Sequence, residues 1–260
     1  MANLLAFQPD ERIAEVMALQ DYSAAPYLVL ATQSGMVKKS RLTDFDSPRT
    51  GGIIAINLHE DDEVIGARLV SPDQDLLLVS RKAQAIRFHA TDEVLRPMGR
   101  ATSGVIGMRF ANGDELLGMH VIREGADVLV ATSGGYAKRT PADQYPVKGR
   151  GGMGVLTAQI VAARGELVGA LMVDPDDEVF AITSSGGVIR TAAAEVKKSG
   201  RQTMGVRLMN LAAGDSLVAI ARNAESGDAD VNGDEAADEP AGEAPEGPGD
   251  RDGGEPEATD

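Results

Sequence analysis

Residues 131–155 read ATSGGYAKRTPADQYPVKGRGGMGV, and this stretch decides how the rest of the chain is read. It opens at the end of an apolar strand, Val128-Leu129-Val130-Ala131, and turns at Ser133-Gly134-Gly135. A basic strand follows, Tyr136-Ala137-Lys138-Arg139-Thr140, then a connection ending in Lys148-Gly149-Arg150-Gly151-Gly152-Met153-Gly154. Glycines around isolated cations let backbone N–H groups and a guanidinium approach a phosphate together, because no Cβ keeps the ligand away. The same residues would also make a plain surface turn with two stray charges. Repetition separates the two readings.

Four apolar strands are each followed by a turn and a short basic strand: YLVLATQSGMVKKS from Tyr27, DLLLVSRKAQAIRF from Asp75, DVLVATSGGYAKRT from Asp127 and EVFAITSSGGVIRT from Glu178. In register, Thr32, Ser80, Thr132 and Thr183 are equivalent, at spacings of 48, 52 and 51 residues, too regular for an ordinary sandwich. A second half follows each time. It starts at Gly52-Ile53, Gly104-Val105, Gly154-Val155 or Gly205-Val206 and reaches another aliphatic strand through a polar turn. The opening residues, NLLAFQPDERIAEVMAL, look like a second half without its first, so the chain reads as four full units and one half unit. Helical periodicity is poor apart from one possible turn at residues 91–95. Repeats of this size with Gly, Asp and Pro turns predict an all-β, propeller-like ring of four-stranded units. A tandem array of separate sheets would instead leave edges unpaired.

The net charge of −15 misleads. Residues 223–260 hold 14 acids and one base, Arg251, so they carry −13 and leave −2 for residues 1–222. That acidic segment has almost no large apolar residue, which predicts a disordered tail beyond a folded domain of residues 1–222. With no cysteine there is no disulfide and no thiolate metal site. His59, His89 and His120 are scattered, and Asp174-Pro175-Asp176-Asp177 lacks the ligand spacing of a calcium loop. Acid clusters such as Asp61-Asp62-Glu63 and Asp114-Glu115 fall in turns. No nucleophile–base pair, P-loop or dinucleotide fingerprint is present, so catalytic residues, metal and cofactor are all expected to be absent. No signal peptide or membrane-length apolar run appears, and the expected setting is cytoplasmic.

The cations form two columns. Lys39, Arg87, Arg139 and Arg190 make the first, thickened by Lys38 and Lys138. Arg49, Arg100, Arg150 and Arg201, shortly before the Gly-aliphatic step, make the second, with Lys148, Lys197 and Lys198 nearby. In a ring, equivalent residues occupy equivalent places on the rim, so two columns become two basic tracks, and a curved basic track suits duplex phosphates without base readout. Repeated cations also keep edge strands soluble, and the sequence leaves both readings open.

At these residues the chain resembles a known family, the C-terminal domain of the gyrase A protein of DNA gyrase, over residues 3 to about 225. The motifs are YLVLATQSGMVKKS, TDEVLRPMGRATSGV, ATSGGYAKRT, GVIRTAA and GRQTMGVRLMNL, most like actinobacterial members. The resemblance implies a β-pinwheel, shared in form with topoisomerase IV, whose neighbouring blades exchange strands and whose rim binds and wraps double-stranded DNA. A gyrase A core and gyrase B would be its partners in an ATP-dependent, nucleoid-associated enzyme that introduces negative supercoils. It further implies six blades, a wrapping box in a first blade that this chain lacks, and a breakage–reunion domain that is also missing. A second box resembles residues 148–154, KGRGGMG, where Lys148 replaces a glutamine and Met153 a basic residue. On this reading Lys38, Lys39, Arg49, Arg87, Arg100, Lys138, Arg139, Lys148, Arg150, Arg190 and Arg201 hold phosphates, and Gly151, Gly152 and Gly154 admit them to the loop backbone. The rival readings are a protein-interaction propeller whose acidic tail meets a basic partner, and a non-functional truncated fragment.

Overall fold

The computed structural model describes residues 11–49, 51–111 and 113–223. The first unit holds β1 (Tyr27–Thr32), β2 (Met36–Arg41) and β3 (Val64–Val70); the second holds β4 (Asp75–Ser80), β5 (Gln84–His89), β6 (Val105–Ile106) and β7 (Leu116–Val121). The third holds β8 (Asp127–Thr132), β9 (Tyr136–Pro141), β10 (Val155–Leu156) and β11 (Leu167–Val173); the fourth holds β12 (Glu178–Thr183), β13 (Val188–Ala192), β14 (Val206–Arg207) and β15 (Leu217–Arg222). All observed pairings between these strands are antiparallel.

The sheets do not coincide with the units. Their orders are β3-β1-β2-β6, β10-β5-β4-β7, β11-β8-β9-β14 and β13-β12-β15. The two-residue strands at the Gly104, Gly154 and Gly205 steps therefore leave their own units and complete the sheets of the units before, which is the strand exchange the pinwheel resemblance implies, while the Gly52 step forms no strand. The fourth sheet has three strands among the described residues, one fewer than the repeat predicts. Of the half unit expected over residues 3–19, residues 11–19 form no strand, and the rest lies outside the described residues. The expected tail also lies outside them, apart from Asn223. The possible turn at residues 91–95 is present, closed by Leu95 N–H donating to Thr91 O at 2.8 Å.

The near-continuous apolar runs have a simple cause. Successive strand residues face opposite sides, and each central sheet is covered on both. In β4, Leu76 and Leu78 pack with Val29, Val37 and Phe88, while Leu77 and Val79 pack with Val128 and Val130. Leu129 and Ala131 then meet Val179 and Ala181 in the next layer. Each fully buried Leu or Val contributes roughly 1.5–3 kcal/mol, so units hold their neighbours rather than folding as separate bodies.

The acid turns prove to be clamps. Asp62 accepts Ser34 N–H at 2.9 Å and the Ser34 hydroxyl, and Asp114 accepts Ser80 Oγ at 2.6 Å and Lys82 N–H at 2.9 Å. Asp215 accepts Ser184 Oγ at 2.6 Å and Ser185 Oγ at 2.8 Å, and these hydroxyls hold its carboxyl far below the usual range. Each clamp ties a hairpin turn to the turn that leads into β3, β7 or β15, beside a register shift at the same repeat position, Ala31/Thr32, Val79/Ser80 or Ile182/Thr183.

Candidate nucleic-acid interface

The first cation column lies mostly inside the protein. Lys39 is fully buried: its Nζ donates to Ala90 O at 2.5 Å, pairs with Asp92 at 2.7 Å and sits 4.3 Å from the Tyr27 ring centroid. Arg139 is buried against Asp127 at 2.9 Å and donates to Val196 O at 2.8 Å and Ala194 O at 3.0 Å. Arg87 is half-buried, pairs with Asp75 at 2.7 Å and reaches Ala142 O at 3.2 Å. Arg190 pairs with Glu178 but is exposed. Lys38 and Lys138 are buried too, their ammonium groups donating to the carbonyls of Ala55 and Arg100 and of Gly200 and Arg201. Burial, with Arg100 or Arg201 nearby, lowers the pKa of each lysine to about 8.

These positions correct the phosphate role expected for Lys38, Lys39, Lys138 and Arg139. A charge enclosed by its own acid and carbonyls presents nothing to solvent, and freeing it would strip a buried partner. The sequence carried a signal for this. The strand opposite each column-one arginine begins with an acid, Asp75, Asp127 or Glu178, in register throughout the repeat, and only the first unit has Tyr27 there.

The second column lies in the connections. Arg150 is exposed, and its guanidinium donates from Nε to Val94 O at 2.8 Å and from Nη1 to Ile106 O at 3.1 Å. Arg201 and Arg100 are half-buried and make the equivalent bonds, to Leu156 O at 3.0 Å and Ile54 O at 3.4 Å. Arg150 and Arg201 thus clip the exchanged strand of the preceding unit and Arg100 clips the corresponding residue Ile54, while their remaining N–H groups stay available in a fixed fork. Arg49 and Lys148 are exposed, as are Lys197 and Lys198, the latter paired with Asp127 at 2.9 Å.

The loop glycines act otherwise than expected. Gly151 N–H donates to Gly107 O at 2.6 Å, and Gly152 O accepts Arg109 N–H at 2.9 Å, so these groups face protein. Gly154 has φ 79°, and a Cβ there would lie 2.2 Å from Ala85 O. It is required for strand docking, where a side chain has no room. The structure adds exposed cations that repeat reading missed. Arg41 and Arg96 line one open groove of about 540 Å³ together with Asp44 and Asp92, and Arg109 is exposed beside the 148–154 loop. Arg41 ends its strand and Arg96 aligns with Pro146, so neither forms a column.

Comparison with known proteins gives concordant results. The family model described as "DNA gyrase C-terminal domain, beta-propeller" matches residues 26–71, 74–123, 126–174 and 177–223, one match per unit. The gyrase A protein of Mycobacterium tuberculosis (strain ATCC 25618 / H37Rv) DNA gyrase is 66% identical over 237 residues, covering 90% of this chain and 28% of that protein. The gyrase A protein of Streptomyces coelicolor (strain ATCC BAA-471 / A3(2) / M145) is 62% identical over 248 residues, covering 93% and 29%. The chain therefore spans less than a third of the length of these relatives. Among solved structures, a DNA gyrase A C-terminal domain superposes with TM-score 0.75 and 28% identity over 85% of this chain and 73% of its own. The C-terminal domain of DNA topoisomerase IV shares the fold, with TM-score 0.79 and 22% identity over 85% and 69%.

Proposed function

The chain belongs to the DNA gyrase C-terminal domain, beta-propeller family, and on that premise we propose that it binds and wraps duplex DNA without cleaving it. In a gyrase holoenzyme, with a gyrase A core and gyrase B, that wrapping supports ATP-dependent negative supercoiling in a cytoplasmic, nucleoid-associated setting. The phosphate-facing groups are the exposed connection cations Arg49, Lys148, Arg150 and Lys197, assisted by Arg41, Arg96, Arg109 and Arg190. Arg100 and Arg201 contribute the open sides of their clipped guanidinium groups, and Arg87 lies at the margin.

The observation that carries this reading is Arg150. It is exposed, pinned by two carbonyls and set in a loop that also exposes Lys148. A pre-positioned guanidinium loses little freedom on meeting a phosphate. Duplex binding by the chain should fall with salt at a log–log slope of about −5 if roughly six phosphates are contacted. Replacing Arg49, Lys148 and Arg150 together by alanine should lower the slope by about 3, near one unit per lost phosphate contact. Met153→Lys, at an exposed site in the same loop, should tighten binding. A slope near zero in the parent chain, or none of these changes in a gel-shift titration, would remove the proposal.

A further inference from the structure

Three of the four hairpin turns are closed by an aspartate. The N–H groups of Ser34, Lys82 and Ser185 hold equivalent places in the repeat, and they donate to the carboxylates of Asp62, Asp114 and Asp215 at 2.9, 2.9 and 3.1 Å. In the third unit the equivalent donor is Gly134 N–H, and it finds a backbone carbonyl instead, Arg164 O at 2.9 Å. The residue aligned with the aspartates is Gly165, with φ 72°, and a Cβ there would run into Ser133 Oγ. The third turn therefore carries no clamping acid. The residue before Gly165, a glycine in the second and fourth units, is Arg164.

The Arg164 guanidinium lies over the ring of Tyr136, 4.1 Å from its centroid, and its Nη1 donates to Met204 O and Gly205 O, both at 3.1 Å. A second guanidinium reaches the same ring. Arg207, opposite Tyr136 in the β9–β14 pairing, lies 5.7 Å from the centroid. It donates from Nη2 to the Tyr136 hydroxyl at 3.2 Å and from Nη1 to Asn210 Oδ1 at 3.1 Å. Arg207 is exposed, and Arg164 and Tyr136 are half-buried. Arg87, Arg139 and Arg190 each have a carboxylate partner, whereas among the described residues Arg164 and Arg207 have none. Two cations held on one ring without an acid repel each other and attract an anion. Nε and Nη2 of Arg164 and Nε of Arg207 have no acceptor among the described residues, and the Tyr136 hydroxyl, which accepts from Arg207, is left to donate its own O–H. The hydrogen bond from Arg207, with its charge and that of Arg164, holds the Tyr136 phenol below the ordinary tyrosine range.

We propose that Arg164, Arg207 and Tyr136 form a phosphate site particular to the third unit, and that a backbone phosphate of duplex DNA occupies it. The site rests on the missing acid and the two guanidinium groups, and its occupant rests on the DNA-binding reading above. Charge-assisted N–H and O–H donors with no competing carboxylate suit phosphate oxygens, and stacking on the ring fixes the guanidinium groups before the ligand arrives. Arg207 sits on the outer edge of β9, at the end of the connection that also carries the exposed Lys197. The other two exchanged strands have Ile106 and Leu156 in its place, opposite Met36 and Gln84, and cannot make this contact. The duplex is therefore held more firmly at the third unit than a uniform repeat would hold it.

The test follows the Tyr136 phenol by NMR in the full chain labelled with carbon-13 tyrosine, with Tyr136→Phe assigning its signal among the 4 tyrosines. Inorganic pyrophosphate, added at fixed ionic strength, should shift that signal and raise the phenol's pKa, because a bound anion offsets the guanidinium charges. A short duplex should shift it as well. Arg207→Leu and Arg164→Gly install residues that other units carry at those places, so the repeat already accommodates them. Each should abolish both shifts, and together they should lower the log–log salt slope of duplex binding by about 1, for one lost phosphate contact. A signal that pyrophosphate leaves in place would overturn the site. Duplex that binds without moving the signal, with an unchanged slope in the double variant, would overturn the proposal and leave the Arg150 reading intact. A chain that binds no duplex at all would overturn that reading and, with it, the occupant named here.

Discussion

Hairpins β8–β9 and β12–β13 are built on one motif, DVLVATSGGYAKRT and EVFAITSSGGVIRT, and they end in different physical states. Both pair an arginine with the acid that opens the hairpin, Arg139 with Asp127 and Arg190 with Glu178. The Arg139 side chain is 8% exposed and the Arg190 side chain 59%. What differs is the cover. Residues 197–207 of the following unit lie along the outer edge of β9, with Arg139 N–H donating to Lys197 O at 3.0 Å and β14 completing the sheet, while no described strand lies along the outer edge of β13. A repeated cation therefore has no fixed electrostatic meaning in a strand-exchanged array. Its position belongs to its own unit, and its exposure is decided by the next.

The largest expected effect breaks this comparison at its covered side. Arg139→Ala leaves Asp127 buried without its guanidinium and the carbonyls of Val196 and Ala194 without a donor. Breaking a buried pair from one side costs about 3–5 kcal/mol. Arg190→Ala removes the equivalent pair at a solvated site, so the urea midpoint should barely move. Equal losses in the two variants would mean that exposure does not govern the column.

Most of the architecture is legible in the sequence. The repeat period, the Gly-aliphatic step and the doubly buried runs are local features, and they give the four full repeats and the all-β class, while the half unit expected over residues 3–19 shows no strand among residues 11–19 and the first unit has three strands where four are expected. The roles of the first column are not legible, because the groups that enclose Lys39 and Lys138 come from the next unit: Ala90 and Asp92 for one, Gly200 and Arg201 for the other. Contacts more than 50 residues away leave no periodic trace on the lysine itself. The acids at Asp75, Asp127 and Glu178 do leave one, in the same alignment that produces the column. The second column keeps the expected exposure at Arg49, Lys148 and Arg150, because connection loops lie on the surface in any compact arrangement. The clip from Arg150 to Ile106 is hidden, since it depends on where an exchanged strand lands.

The step glycines give a second, smaller break. Alanine at Gly154 meets Ala85 O, while alanine at Gly52 meets nothing. Both substitutions place a side chain on a left-handed backbone, a penalty of roughly 1–2 kcal/mol, so that part cancels between them. Overpacking adds about 1–3 kcal/mol at Gly154 alone. A matched pair of urea titrations in dilute protein should show Gly154→Ala the less stable by that margin. Equal midpoints would show that the exchanged strand can shift to admit a methyl group.

The smallest effect sharpens the comparison inside the covered hairpin. Lys138 aligns with Ile86 in the second unit and Ile189 in the fourth, so the repeat accepts either a long cation or an aliphatic side chain there. Burial lowers the Lys138 pKa from 10.5 to about 8. Below pH 8 the folded and unfolded chains both hold the proton, and this lysine adds no slope to the stability. Between pH 8 and 10.5 the unfolded chain still holds a proton that the folded chain has released, so stability rises with pH across that window. Lys38 titrates in the same way, so Lys138→Ile should remove one of two such contributions. The melting temperature should then gain less in the variant than in the parent between pH 8 and pH 10, even where the variant melts lower throughout because the carbonyls of Gly200 and Arg201 have lost their donor. Both proteins carry the same tyrosines, so their titration cancels in the comparison. An identical pH dependence would show that the Lys138 ammonium keeps its ordinary affinity for the proton, and that its enclosure by carbonyls offsets the burial.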